Sequence, residues 1–230
     1  MICAIMQPTY FPWAGYFHLI AKSDKFVFLD DAQFNKGSWQ TRNYIISNKK
    51  KYLLVVPTKK SITKTNILSK KVHHETNFQK KHSKIINTVY SRYPYINDLK
   101  QLIRYFEKLE HKNLSELNTK IIIYISNKLD LNTKFYYSSQ FNFQEKRTEK
   151  TIRILNELKA TEYLSPTGSK EYLIEDNFED LTNIKLSFSK FKNNEYKQEK
   201  LEKFIGNLSI IDLIANLGWK NTKDYVNSNN

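Results

Sequence analysis

The chain has 230 residues, a formal net charge of +14 at pH 7, 40% hydrophobic residues and a single cysteine, Cys3. A chain of this length can bury roughly 70% of its unfolded surface, so it needs no disulfide framework, and one cysteine cannot build a thiolate metal site. No segment approaches the ~18 apolar residues of a membrane span, so we expect a cytoplasmic protein without membrane insertion.

The positive charge leaves two interpretations open. Lysines cluster only in short runs, at residues 49–51, 59–60, 70–71 and 80–81. Clustered lysines can neutralise phosphates and release counterions, which favours a polyanion such as RNA as a partner. The same lysines can instead be solvated surface residues with no partner, and their spread along the chain favours this second interpretation.

The N-terminal segment predicts a strand, a loop, a helix and a second strand. Residues 2–6 form an apolar run with the length of a buried parallel strand, which ends at Gln7-Pro8 because proline lacks a ladder donor. Gly15 then precedes residues at helical spacing, and residues 26–29 form a second strand-like run. Ligands of such units bind outside the carboxyl ends of the strands, so both following loops are candidate site loops.

Strand-like and helical segments continue to the end of the chain. The sequence predicts a β-hairpin across residues 44–56, helices across 77–96, 97–109, 114–129 and 146–158, and short strands across 134–137, 162–164 and 184–188. A last helix is expected to begin after Ser209 and to end at Gly218.

This alternation predicts an α/β fold. We expect a mostly parallel, Rossmann-like sheet with helices on both faces, an inserted β-hairpin and a helical middle segment at about residues 77–130. A single domain should cover residues 1–222, with residues 223–230 as a frayed tail.

Two consecutive carboxylates, Asp30 and Asp31, follow the second predicted strand. Either can accept a proton from a substrate hydroxyl or amine, or can only cap the loop, because consecutive side chains of a strand point in different directions. Lys36 and Arg42 suit phosphate or carboxylate binding, although Arg42 can instead pair with one of the aspartates.

The remaining candidates for substrate binding share a position in predicted loops or strand ends. Their amides and hydroxyls can bind the polar edges of a ligand, and their aromatic rings can stack on a base or sugar, or simply close the core. These candidates are Gln7, Pro8, Tyr10, Trp13, Gly15, Tyr16, Gln33, Trp39, Asn43, Ser138, Ser139 and Gly168.

Several common signatures are absent from the sequence. It contains no GxxxxGK[ST], GxGxxG or GxSxG motif, so P-loop, dinucleotide-binding and nucleophile-elbow sites are not predicted. His74 and His82 would lie about 12 Å apart along one helix, which suits a polar helix face better than a metal site. We therefore expect neither a metal ion nor a cofactor.

A longer pattern, spread over the whole chain, resembles the WbqC-like family. The β-loop-α-β segment is also similar to the HxGH segment of nucleotidylyltransferases, although Trp13 and Tyr16 replace both of its histidines. The matching WbqC-like segments are residues 6–17 (MQPTYFPWAGYF), 28–34 (FLDDAQF), 39–43 (WQTRN), Ser138-Ser139, 163–165 with Gly168, Tyr196, Gln198 and 207–212 (NLSIID).

The resemblance implies a cytoplasmic bacterial protein associated with the biosynthesis of O-antigen and other surface polysaccharides. We expect a transferase that acts on a nucleotide-linked amino sugar by acyl or aminoacyl transfer, with Asp30 or Asp31 as the base. Its partners would be the nucleotide-activated sugar and an activated acyl or aminoacyl donor, charged tRNA included. Two alternatives remain: a non-catalytic protein that binds the sugar nucleotide or acts as a scaffold, and a tRNA-dependent enzyme or RNA binder.

Overall fold

A computed structural model describes residues 1–61, 63–199 and 201–228. Its strands are β1 (Ile2–Met6), β2 (Lys25–Phe28), β3 (Arg42–Ser47), β4 (Lys50–Val55), β5 (Lys134–Tyr137), β6 (Glu162–Ser165) and β7 (Lys185–Phe188). Its α-helices are α1 (Ala14–Ala21), α2 (Phe78–Tyr90), α3 (Ile96–Lys108), α4 (Leu114–Lys128), α5 (Arg147–Glu157), α6 (Lys170–Glu175), α7 (Phe178–Leu181) and α8 (Ile210–Asn227).

Five strands form a parallel sheet in the order β5-β2-β1-β6-β7. Met6 pairs with Phe28 of β2 on one side of β1, and Cys3 pairs with Tyr163 of β6 on the other. The chain builds outward from β1 in one direction and then returns to its other side. The strand order therefore reverses at β1, which creates a crevice at the carboxyl ends of β1 and β6.

The sheet is covered on both faces, as predicted. Cys3 and Ile5 of β1 contact an apolar cluster that includes Ile154 and Leu155 of α5, whereas Ala4 belongs to a larger cluster on the opposite face. Side chains alternate between the two faces of a strand, so burial on both sides requires the uninterrupted apolar run of β1.

The predicted hairpin and helical middle are also present. Strands β3 and β4 form a separate antiparallel pair, and helices α2, α3 and α4 follow in order. The hairpin lies beside the start of α8, where the amide of Ser209 donates to the carbonyl of Tyr44 (2.8 Å).

Helix α8 extends beyond its predicted end. Gly218 leaves the helical conformation (φ 72°), but the helix resumes because Asp98 accepts a hydrogen bond from the Trp219 amide (3.0 Å). The helix then continues to Asn227, and Val226 is fully buried. Residues 223–227, which were expected to fray, therefore belong to the helix, and residues 229–230 of the expected tail lie outside the described residues.

Within the described part of the chain, no helix has both the length and the apolar character needed to cross a membrane.

Candidate functional site

Two adjoining cavities lie at the carboxyl end of β1, where the strand order reverses. They share three lining residues, Met6, Trp13 and Tyr16. The first cavity, of about 330 Å³, is also lined by Thr9, Pro12, Trp39, Asn43 and Asn207. The second, of about 220 Å³, is also lined by Gly15, Leu19, Pro166, Thr167, Ser189, Lys190 and Phe191. Together they have the size and the mixed apolar and polar lining of a small-molecule site.

Trp13 borders both cavities. It precedes α1, and its indole ring lies against Gly15, where a β-carbon would collide with the ring. The indole also packs edge-to-face with the ring of Phe191, with the ring centroids 5.2 Å apart. Trp13 is therefore held between the first turn of α1 and the segment that follows β7.

Hydrogen bonds join the loops that follow β1 and β2. The side-chain amide of Gln40 donates to Oε1 of Gln7 (2.8 Å), and its own oxygen accepts from the Asn35 amide (3.0 Å). The Tyr10 amide donates to the carbonyl of Trp39 (2.9 Å). These bonds fix Trp39 beside the first cavity, although 52% of its surface is exposed.

Asn43 stabilises a strained turn under the first cavity. Phe11 has a positive φ of 39° and is almost fully buried. Nδ2 of Asn43 donates to the carbonyl of Phe11 (2.7 Å) and to that of Tyr10 (3.3 Å). Strain of this kind persists only where the surrounding contacts hold it, and such contacts concentrate at functional sites.

The two aspartates hold the end of β5 against the end of β2. Asp30 is 1% exposed, and its carboxylate accepts from Oγ of Ser138 (3.1 Å), the amide of Ser139 (3.0 Å) and Oγ of Ser139 (2.8 Å). Oγ of Ser138 also lies 2.6 Å from the carboxylate of Asp31, so its single hydrogen is shared between the two aspartates, and Asp31 forms an ion pair with Lys150. Neither carboxylate lines either cavity. Their catalytic role stays a prediction.

Arg42 has no acidic partner in the described residues. Its guanidinium lies 3.5–3.7 Å from the position that a β-carbon would occupy at Gly37, on the loop between β2 and β3. The suggested pair between Arg42 and one of the aspartates is not formed. The arginine therefore remains available to an anion.

The structure divides the remaining candidates from the sequence into three groups. Trp13, Gly15, Tyr16, Trp39 and Asn43 line the cavities. Gln7, Pro8 and Tyr10 lie behind the cavity walls and hold them in place by hydrogen bonds. Tyr16 donates to the carbonyl of Gln7 (3.1 Å), and Asn118 donates to the carbonyl of Pro8 (3.1 Å). The hydroxyl of Tyr10 forms a hydrogen bond with Nδ1 of His82 (2.8 Å). The third group lines neither cavity and consists of Gln33, Lys36, Ser138, Ser139 and Gly168. Gly168 directly follows Thr167, which lines the second cavity.

Sequence analysis did not select Asn207, which lines the first cavity. The amide of Ile210 donates to the carbonyl of Pro12 (2.8 Å), and Ser209 forms a bridge with Trp13. This contact joins segments almost 200 residues apart, so no local pattern revealed it. The sequence predicted Ser209 as the N-cap of the last helix, but not its contact with the turn at Pro12 and Trp13.

The lining offers binding groups more than acid-base groups. Among the described residues around the two cavities, the ionisable side chains are Tyr16 and Lys190. Burial raises the pKa of Tyr16 well above its usual value, so its phenol stays neutral. No group of three or more potential metal ligands lies together in the described part of the chain. The site can stack on the rings of a ligand, form hydrogen bonds with its polar edges and bind one anionic group of the ligand through Lys190.

Comparisons with known proteins place most of the chain in one family. The uncharacterized protein Rv1507c of Mycobacterium tuberculosis is 29% identical over 217 residues, which cover 94% of this chain and 93% of that protein. No solved structure matches. The profile of the WbqC-like protein family matches residues 7–224, and the chain belongs to that family.

Proposed function

We propose that this protein is a cytoplasmic transferase that binds a nucleotide-linked amino sugar and acylates or aminoacylates its amine during the assembly of a surface polysaccharide. The observation that carries this proposal is the pair of cavities on either side of Trp13, at the point where the strand order reverses. Ligands of open parallel sheets bind at this position.

The lining suits a ligand with two ring systems. Trp39 and Trp13 offer faces for a base and a sugar, and a base stacked on an aromatic side chain gains about 1–3 kcal/mol. The amides of Asn43 and Asn207 suit the polar edges of the base or sugar. Lys190 of the second cavity suits a phosphate.

The chemistry of the lining favours direct attack by the amine. No cysteine, histidine, aspartate or glutamate occurs among the described residues around the two cavities. A neutral amine needs no activation: its nitrogen forms a bond to the acyl carbon, the bond between that carbon and the donor breaks, and the leaving group takes the proton that the amine loses. The protein contributes by orienting the two substrates.

The same lining also suits the alternative in which the protein binds a sugar nucleotide without transforming it. Acid-base groups usually contribute 10²–10⁴-fold to such reactions, and the described residues around the cavities include no histidine or carboxylate for this role. The presence or absence of product separates the two functions.

A transfer assay tests the proposal. UDP-, GDP- and dTDP-linked amino sugars would be incubated with acyl-CoA or aminoacyl-tRNA donors, and the mass of the sugar nucleotide measured. We expect a gain of one acyl or aminoacyl group for one combination, strongly reduced in Trp39→Ala and retained in Tyr52→Ala, an exposed aromatic residue of β4 outside both cavities. Binding without a mass gain for any donor would favour the non-catalytic alternative.

A further inference from the structure

A second concave surface lies beside the crevice and has a different character. This groove, of about 360 Å³, runs between the loop after β2 and the segment after β4, and four threonine or serine side chains contribute to its lining. We call it the lysine groove because it is lined by Lys36, Lys59, Lys60, Lys64 and Lys70.

Backbone hydrogen bonds hold the walls of the groove in place. The amide of Phe34 donates to the carbonyl of Thr65 (2.8 Å), and the amide of Lys59 donates to that of Lys71 (3.0 Å). Thr58 forms an isolated antiparallel bridge with Val72. The cations therefore converge because the backbone places them together.

Lys70 is the buried member of the set. It is only 4% exposed, and Nζ donates to the carbonyl of Lys59 (2.6 Å) and to Oγ of Ser61 (2.9 Å) while lying 4.5 Å from the centre of the Phe34 ring. All of these partners are neutral, and burial lowers the pKa of Lys70. A buried cation without a counter-charge is costly, and a bound anion would offset that cost.

The exposed lysines of the groove are also poorly compensated. Lys59 lies 3.4 Å from Glu75, in a pair that is exposed on both sides and therefore weak. No ion pair of Lys36, Lys60 or Lys64 occurs in the described part of the chain. Among the described residues, the five lysines of the groove thus form one weak ion pair, and the groove carries a positive potential.

We propose that the lysine groove binds the phosphate backbone of an RNA strand. Lys36, Lys59, Lys60 and Lys64 are exposed, long and adaptable, which suits phosphates spaced along a strand better than one small anion held by fixed donors. The groove is concave, whereas a lipid bilayer meets flat or convex surfaces. The interleaved hydroxyl groups add donors for phosphate and ribose oxygens.

The path of the strand can continue towards the crevice. Only two residues lie between Lys36 in the groove and Trp39 beside the first cavity, so their α-carbons are at most about 11 Å apart. Arg42, which has no acidic partner among the described residues, lies against Gly37 between them. The RNA site is nevertheless independent of the proposed transferase function, since none of the groove lysines lines the crevice.

A matched pair of triple variants tests the proposal. Binding of a fluorescent 20-nucleotide single-stranded RNA would be measured by anisotropy from 50 to 300 mM salt for the wild type, for Lys59→Gln/Lys60→Gln/Lys64→Gln, and for Lys80→Gln/Lys81→Gln/Lys84→Gln on the exposed face of α2. Both variants lose three positive charges, so only the position of the charges differs.

We expect the groove variant to bind at least ten-fold more weakly at 100 mM salt. The slope of log affinity against log salt should fall in magnitude by about 2, because each lost phosphate contact removes about 0.7. The α2 variant should keep the wild-type slope. Equal weakening by both variants, no RNA binding at 50 mM salt, displacement of RNA by micromolar pyrophosphate, or binding to phosphatidylserine vesicles without RNA binding would each overturn the proposal.

Discussion

The indole of Trp13 lies directly on the α-carbon of Gly15, and the contact leaves no space for a β-carbon. This relationship explains why the first turn of α1 contains a glycine, although glycine in a helix usually costs about 1 kcal/mol relative to alanine. The absence of a side chain at Gly15 allows the indole to stand between the two cavities.

Gly15→Ala should therefore displace Trp13 and impair the site. We expect ligand binding to weaken at least ten-fold, together with a loss of about 1–3 kcal/mol in the free energy of unfolding because the new methyl group overpacks the contact. Calorimetric titration and urea unfolding measure the two effects. Gly168→Ala is the control, because nothing lies within 4 Å of its β-carbon position. Unchanged binding in Gly15→Ala would show that the indole position does not matter.

Asn43→Asp should release the strained turn at Phe11. Aspartate keeps the oxygen that accepts from the Tyr44 amide (2.8 Å) but cannot donate to the carbonyls of Tyr10 and Phe11. The buried charge and lost donors should lower the free energy of unfolding by about 2–4 kcal/mol in urea. Asn48→Asp, in the exposed hairpin turn, should change it by less than about 0.5 kcal/mol. Equal effects would contradict a specific role for Asn43.

Asp30→Asn should mainly lower the free energy of unfolding. The buried carboxylate accepts three hydrogen bonds from Ser138 and Ser139, and an amide cannot accept all of them, so we expect a loss of about 2–4 kcal/mol in urea unfolding. Asp31→Asn loses the ion pair with the partly exposed Lys150 and should cost about 1 kcal/mol.

The same two variants test the catalytic role predicted from the sequence. A base that touches the substrate would be identified by a folded variant that still binds the sugar nucleotide but transfers at least 100-fold more slowly. If both variants transfer at rates that follow only their folded fraction, Asp30 and Asp31 act by holding the ends of β2 and β5 together.

Two buried histidines should make the protein sensitive to acid. Burial lowers the pKa of His82 and of His111 from 6.5 to about 4. The unfolded chain therefore binds more protons than the folded protein between these values, and stability present above pH 6.5 is lost as the pH falls towards 4. We expect urea unfolding to show a loss of up to about 3 kcal/mol for each histidine over this range, because a shift of one pKa unit corresponds to about 1.4 kcal/mol.

His111→Phe separates the contribution of His111 to this loss of stability in acid from that of His82. Both ring nitrogens of His111 are buried and have no hydrogen-bond partner in the part of the chain that the structure describes, and the ring lies beside those of His74 and Phe78. Phenylalanine keeps the ring contacts and removes the unpaired polar atoms, so the variant should be up to about 1 kcal/mol more stable at pH 7 and lose less stability on acidification. An unchanged pH dependence would show that His111 does not titrate on unfolding.

The sheet and its helices could be predicted because their patterns are local. The apolar run of β1, the aspartates after β2 and the helical periods of α2 to α5 each report the burial of their own segment. The unit β1-α1-β2 also fixes which edge of the sheet carries the site, so Trp13 and Asn43 could be placed there in advance.

The features that were missed depend on distant partners. The carboxylate of Asp30 accepts hydrogen bonds from Ser138 and Ser139, which lie more than 100 positions further along the chain. Asn207 reaches the crevice through a contact between Pro12 and Ile210. Gly218 was predicted to end α8, but Asp98 of α3 accepts from the amide that follows it and lets the helix resume. Propensity and periodicity contain no information about such partners.

The binding of nucleotide sugars to the crevice is the central claim, and calorimetric titration tests it most directly. Wild-type protein, Trp39→Ala and Tyr52→Ala would be titrated with UDP-, GDP- and dTDP-linked amino sugars at 150 mM salt. We predict saturable binding of one nucleotide class, weakened about ten-fold by Trp39→Ala and unchanged by Tyr52→Ala, because a lost stacking contact costs about 1–3 kcal/mol. No binding by the wild type, or equal affinity in Trp39→Ala, would contradict the account.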